Sequence, residues 1–217
     1  MKMNNSKVDS LLAGGESGEL TDKQKRIVEA AIEMFSEKGF AASSTSEIAK
    51  RAGVAEGTIF RHYKTKKELL LAIVTPVMGN LVAPFIVKDL EKVLEKDYEF
   101  YEEFLEAMVR NRQAFIQKHL PIVRILVQEI PFHEELRGQF IEHVAKDLYA
   151  RFANIVSHFQ EKGELVQMPP TSVVRLTISS ILGFFLARYI FLPEYEWNEE
   201  EEIEMTIQFI MNGVKAR

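Results

Sequence analysis

Residues Gly53 to Leu70 read GVAEGTIFRHYKTKKELL, and Ser44 to Ala52, immediately before them, read STSEIAKRA. Ser44 and Glu47 have the spacing of a capping box, in which the hydroxyl accepts from a free backbone N–H and the glutamate bonds back. They open a short helix through Ile48 and Ala49 that stops at Gly53, and Ala55 to Phe60 begins another. Small Ala49 lets the two helices approach, Gly53 permits a tight turn, and Val54 and Ile59 pack one helix on the other. This is helix-turn-helix spacing, in which the second helix enters a DNA major groove N-terminus first. An ordinary helical hairpin shares part of the pattern.

Helical signals continue in both directions. Thr21-Asp22-Lys23-Gln24 is another capping box, followed by Ile27, Ala31, Met34 and Phe35 at helical spacing and by a stop at Gly39. Thr65 and Glu68 form a third, before Leu69, Leu70 and Ile73. Farther on, Tyr98 to His119, Ile122 to Ile130, His133 to Gly163, Thr171 to Leu192 and a last segment after Pro193 all carry helical periodicity, with Pro121, Pro131 and Pro169-Pro170 as breaks. Glu199 to Glu202 read as a solvated helix start, and Ile203, Ile207, Ile210 and Val214 as that helix's buried stripe. The expected fold is all-α, about nine helices without a sheet. Its expected parts are a flexible tail over 1–20, a helix-turn-helix head over 21–66 and a helical body over 67–217.

The chain has 217 residues, 47% apolar, with no cysteine and a net charge of −5. The lack of cysteine excludes a disulfide scaffold, a thiolate metal site and a cysteine nucleophile. Between Thr45 and Lys67 stand six bases (Lys50, Arg51, Arg61, Lys64, Lys66, Lys67) against two acids (Glu47, Glu56). One basic island in an acidic chain suggests a polyanion-binding head on a body that does not bind polyanions. Residues 1–19 hold no signal-peptide core. The uncharged run Leu69–Val87 is broken by two prolines, and Val173–Leu192 by Arg175 and Arg188, so both read as helices buried in protein. No membrane partner and a cytoplasmic location are expected.

Enzyme motifs such as HExxH and GxSxG are missing from the sequence, and its histidines are scattered. Glu129 and His133 are four apart but straddle Pro131, which is expected to separate them. The expectation is no catalysis, no metal and no cofactor. Two classes remain: a DNA-binding regulator, or a helical adaptor whose basic island meets an acidic protein.

The quoted segment, with Ser43–Ala49 and Ala30-Ala31-x-x-Met34-Phe35-x-x-x-Gly39-Phe40 before it, resembles the tetracycline-repressor (TetR) family of bacterial transcriptional regulators. The resemblance covers roughly residues 21–70. It implies that Ser44 caps the second helix and touches phosphate, with Ser43 and Thr45 beside it. It likewise implies that Thr58, Phe60, Arg61 and His62 face the groove, with Lys64 nearby, and that Lys66 grips phosphate. Arg61 suits direct readout, because its fork matches guanine O6 and N7. Three positions depart from the family pattern. Ala55 stands where Ser is frequent, Glu56 where a basic or neutral residue is commoner, and Phe60 where Tyr is usual.

The body is expected to hold an effector cavity and a dimer interface. Phe104, Met108, Phe115, Leu126, Phe132, Phe140 and Phe152 are candidate apolar lining. Arg112, Arg124 and His143 are the candidate polar groups, one arginine holding an acidic end if the effector has one. Such a lining suits a small, largely hydrophobic effector. Ser179, Gly183 and Ala187 form a stripe that lets another helix come close. The resemblance implies a homodimer through the last two helices, to which Ile203, Ile207 and Ile210 are also assigned. The implied whole is a ligand-responsive regulator, a repressor in the commonest case, on an inverted-repeat operator in double-stranded DNA.

Overall fold

The computed structural model describes residues 21–76 and 87–216; the expected tail and Pro84 lie outside them. Among the described residues the elements are α1 (Asp22–Ala42), α2 (Thr45–Ala52), α3 (Glu56–His62), α4 (Lys66–Pro76), α5 (Val87–Leu94), α6 (Tyr101–Glu129), α7 (Glu134–Phe140), α8 (Lys146–Glu161), α9 (Pro170–Leu186) and α10 (Glu199–Val214). π-helical turns at Ile141–Ala145 and Ala187–Phe191 extend α7 and α9. No strand occurs among these residues, only an isolated bridge between Leu165 and Lys215. The all-α expectation holds.

The capping boxes explain why the helices start where they do. Thr21 accepts from the Gln24 N–H while Gln24 bonds back to the Thr21 N–H, and Ser44 and Glu47 do the same. In the third box Thr65 accepts from the Glu68 N–H, but the Glu68 carboxylate takes the Lys64 N–H instead. Gly39 interrupts α1 with φ 80° and ψ 162°, a region essentially closed to side-chain-bearing residues. Gly53 closes α2 in the left-handed region at φ 65°, and the Val54 N–H returns to the Ala49 carbonyl at 3.0 Å. The expected break at Pro121 is present as a kink: α6 joins two helical stretches at His119, whose backbone is non-helical (φ −120°, ψ 23°), because a proline ring has no N–H and crowds the preceding turn.

The chain divides into two compact units. The first contains α1–α4 with residues 119–144; the second contains residues 87–118 and 145–217. The expected boundary after Lys66 is therefore not where the compact units part. Ile27, Ile32 and Phe35 of α1, Ile48 of α2, Ile59 of α3 and Leu69, Leu70 and Ile73 of α4 form the core of the head, all fully buried. Burial of each such side chain contributes about 1.5–3 kcal/mol. Leu136 of α7 is buried in the same unit, and α7 packs on α4. In the second unit α6, α8, α9 and α10 bury Tyr101, Phe104, Leu105, Val156, Phe159, Val173, Val174 and Ile203. The Pro170–Phe191 stretch is long and apolar enough to cross a membrane by length and composition.

Candidate nucleic-acid interface

Helix α3 is held by one side and open on the other. Ile59 is fully buried and Tyr63, just past the helix, is buried, so Ala55, Glu56, Gly57, Phe60, Arg61 and His62 face outward. Phe60 leaves 47% of its surface exposed, unusual for a phenylalanine and in keeping with a ring that meets something outside the chain. Thr58 is half-buried and Lys64 exposed. Glu56 does not point freely outward, since its carboxylate accepts from the Thr45 hydroxyl at 2.7 Å. That bond spans the α2–α3 turn and occupies both residues.

The remaining expected contacts divide sharply. Ser44 is exposed, its hydroxyl accepting from the Glu47 N–H at 3.1 Å at the start of α2. Ser43, expected beside it, is only 4% exposed; its hydroxyl lies 2.8 Å from the Gly39 carbonyl and 3.2 Å from that of Met34. It ties down the end of α1 and cannot assist at a phosphate. Lys66 is also turned inward. Its ammonium donates to the carbonyls of Phe40 (2.7 Å), Ala41 (3.3 Å) and Ser43 (2.8 Å).

The basic island is partly neutralised within the chain. Arg51 pairs with Glu33 and Glu37, each at 2.9 Å, and its hydrogen bond holds the Glu37 carboxyl below the usual range. Lys67 lies 3.8 Å from Glu135. Among the described residues, Lys50, Arg61 and Lys64 are the exposed bases of the island without such an ion pair. Glu129 and His133, expected to be separated by Pro131, in fact meet at 3.1 Å. The chain turns through Pro131 and Phe132, but the His133 N–H still returns to the Glu129 carbonyl, so the turn keeps the i, i+4 proximity that a continuous helix would give.

The candidate effector residues are distributed over both units. In the second, Phe104, Met108 and Phe152 are buried, and Phe104 meets Phe152 edge to face at 5.2 Å. Arg112 lies 5.2 Å over the half-buried Phe115 ring and donates to Asn111 at 3.0 Å. In the first, Arg124, Leu126 and Phe140 are half-buried. Phe132 is 85% exposed in its turn and lines nothing there. The His143 side chain lies outside the described residues. Sequence reasoning missed two buried hydroxyls, Tyr101 Oη and Thr177 Oγ1, which have no well-formed hydrogen bond; burial pushes the Tyr101 phenol far up.

The interface expectation needs correction in one part. Ile203, Ile207 and Ile210 are buried within their own unit and unavailable to another chain. Successive residues on a helix point in different directions, so the same helix turns Met205 and Phe209 outward, 54% and 71% exposed. On α9, Leu176, Ser179, Leu182 and Gly183 are exposed; Ala187 is half-buried. The acidic run is not simply solvated either. Glu199 accepts from Arg188, Gln113, Gln117 and Tyr189, and Glu200 from Arg110.

A three-helix head whose second and third helices form this turn, with an open third helix, has the architecture of helix-turn-helix DNA-binding proteins. Residues 27–73 match the family described as "Bacterial regulatory proteins, tetR family". That match covers the helix-turn-helix head of the chain. The chain is 40% identical over 79 residues to the fatty acid metabolism regulator protein of Bacillus subtilis, a match covering 34% of this chain and 39% of that protein. It is 25% identical over 198 residues to the HTH-type transcriptional regulator YvkB of the same organism, covering 88% and 97% of the two chains. Among solved structures, that of the ketosteroid transcriptional regulator KstR2 of Mycobacterium tuberculosis superposes with a TM-score of 0.68 at 17% identity, covering 93% of this chain and 99% of that one. These relatives are transcriptional regulators, not enzymes, and the KstR2 likeness speaks for the fold alone.

Proposed function

We propose that this regulator is a homodimeric repressor that binds an inverted repeat and is released by a small hydrophobic effector. The observation that carries the DNA reading is the two-sided character of α3, with Ile59 buried and Phe60, Arg61 and His62 outside. In this reading Arg61 and His62 reach base edges or phosphates. Ser44 and Lys64 hold the backbone, and contacts of that kind position the protein without reading sequence.

The dimer reading rests on the apolar residues that α9 and α10 leave open: Leu176, Leu182, Met205 and Phe209. Large apolar side chains left exposed on two helices that pack together suit an interaction surface. The exposed Ser179 and Gly183 beside it allow close helix approach. Two copies related by a two-fold axis would carry their recognition helices to half-sites about one helical turn apart, roughly 34–36 Å, or a multiple.

The effector reading rests on the aromatic interior of the second unit, where Phe104, Met108 and Phe152 cluster. Such surroundings desolvate apolar carbon at little cost and fix few polar atoms. The name of the Bacillus subtilis relative, a regulator of fatty acid metabolism, agrees with an acyl compound. The effector acts by binding the DNA-competent and DNA-incompetent states with different affinity.

Selection of bound sites from random duplexes, followed by footprinting, tests the reading. An inverted repeat protected symmetrically is expected; one asymmetric half-site bound by a monomer would reject it. Addition of dodecanoate or dodecanoyl-coenzyme A is expected to release the selected site. Release by hydrophilic metabolites alone would overturn the effector assignment and leave the DNA assignment standing.

A further inference from the structure

We propose that Lys66 and Glu129 are positioning residues for DNA binding, acting through the turn between α1 and α2, and that Lys66 is not a phosphate contact. An ammonium carries three N–H donors. All three of Lys66 are used, on the carbonyls of Phe40, Ala41 and Ser43 at 2.7, 3.3 and 2.8 Å. These carbonyls lie in the short stretch between the break at Gly39 and the start of α2. The same ammonium lies 4.4 Å from the centroid of the Phe40 ring. A phosphate oxygen reaching Nζ must first displace a carbonyl and leave it without its partner.

Glu129 holds the other side of the same residue. The Phe40 N–H donates to Glu129 Oε1 at 3.2 Å, across 89 positions of sequence. The second carboxylate oxygen meets His133 Nε2 at 3.1 Å, and the His133 ring stands edge-on to the Phe40 ring, 5.2 Å away. Glu129 is only 8% exposed, so it reaches no DNA itself. Phe40 is thus held at its carbonyl by a cation from α4 and at its amide by an anion from α6. Between these two grips the chain reverses through Ser43 and emerges at Ser44, the exposed cap of α2. Their common product is the direction in which Ser44 and the start of α2 face outward.

This inference rests on the DNA-binding reading, and the wild-type chain is the control for that reading. Binding of the full chain to a labelled 30-base-pair duplex of mixed sequence is measured across potassium chloride concentration, below the melting temperature, with circular dichroism to verify folding. Withdrawing one cation from the DNA phosphates lowers the slope of log K against log salt by about 0.9. For Lys66→Met we expect about tenfold weaker binding with the slope unchanged. Lys66→Arg should fail to the same degree, because a planar guanidinium cannot aim three donors at converging carbonyls. Glu129→Leu should weaken binding as much although it removes no positive charge, and Glu129→Gln, which keeps an acceptor for the Phe40 N–H, should restore most of it.

A slope that falls in Lys66→Met, or Lys66→Arg binding as the wild type does, would overturn the assignment of Lys66. Unaltered affinity in Glu129→Leu would overturn that of Glu129; if this variant does not fold, weak binding by folded Glu129→Gln does so instead. A wild-type chain that ignores the duplex sinks the DNA reading along with this one.

Discussion

Replacement of Glu199 by alanine tests how the second unit is tied together. Its Oε1 accepts from Arg188 Nε at 2.7 Å, and its Oε2 from Gln113 (2.6 Å), Gln117 (3.0 Å) and the Tyr189 hydroxyl (3.2 Å). One carboxylate therefore fastens the start of α10 to α6 and to the π-helical end of α9. Hydrogen bonds to a charged group contribute about 1.5–3 kcal/mol each. They do not add here: Arg188 keeps the Pro193 carbonyl and Tyr189 keeps Gln117, while a side chain 24% exposed lets water replace part of the rest. A net loss of about 2–3 kcal/mol is expected, which for a chain of this size lowers the melting temperature by roughly 4–12 °C. Burial opposes ionisation of Glu199, but the Arg188 hydrogen bond and charge outweigh it, and the carboxyl lies below its ordinary 4.5. Its contribution is accordingly full above that pH and fades as pH falls through the lower folded value. Calorimetric melts of both proteins from pH 7 to about pH 3 should converge on the acid side. Equal melting temperatures at pH 7, or a gap that persists unchanged into acid, would refute the reasoning.

Gly39→Ala places a side chain at φ 80° and ψ 162° and should cost about 1–3 kcal/mol, read in thermal melts, with weaker duplex binding because the turn after α1 shifts. Tyr101→Phe deletes a buried hydroxyl without a well-formed partner, so stability should hold or rise by about 1 kcal/mol in urea titrations; a loss beyond that would reveal a bond that matters. Since burial raises the Tyr101 pKa, its share of stability is complete below the ordinary value of 10.0 and is lost as pH rises through the folded one; the phenylalanine variant should resist alkali better. Arg61→Ala should cost roughly 1–3 kcal/mol on a selected site and relax preference at one base pair per half-site, measured by competition with substituted duplexes.

The head was legible because its determinants are local. Ser44 with Glu47, Gly53, and Val54 with Ile59 lie within a few residues of what they organise, so spacing alone placed α2, the turn and α3. Lys66 was legible as a residue but not in its role, since its partners lie 23 to 26 positions earlier and only the packing of α4 brings them near. Glu129 and His133 were misread because Pro131 was expected to separate them, whereas the turn through Pro131 and Phe132 preserves the i, i+4 contact. In α10 the apolar stripe was read correctly as buried, yet nothing in its pattern told whether Ile203, Ile207 and Ile210 faced their own chain or another. The acidic run looked solvated because Arg188, Gln113 and Arg110, which engage Glu199 and Glu200, come from distant sequence.

The discontinuity of the first compact unit bears on how such regulators can be recombined. A head cut at Lys66 or after α4 and grafted onto a foreign body would leave residues 119–144 behind. The graft would lack Glu129, the acceptor of the Phe40 N–H, and Leu136, a buried side chain of α7, the helix packed on α4. Chimeras that transplant α1–α4 alone are therefore built with a seam through a folded core. A transplant intended to carry operator specificity intact should include the 119–144 insert as part of its cassette, even though that stretch lies outside the matched family segment.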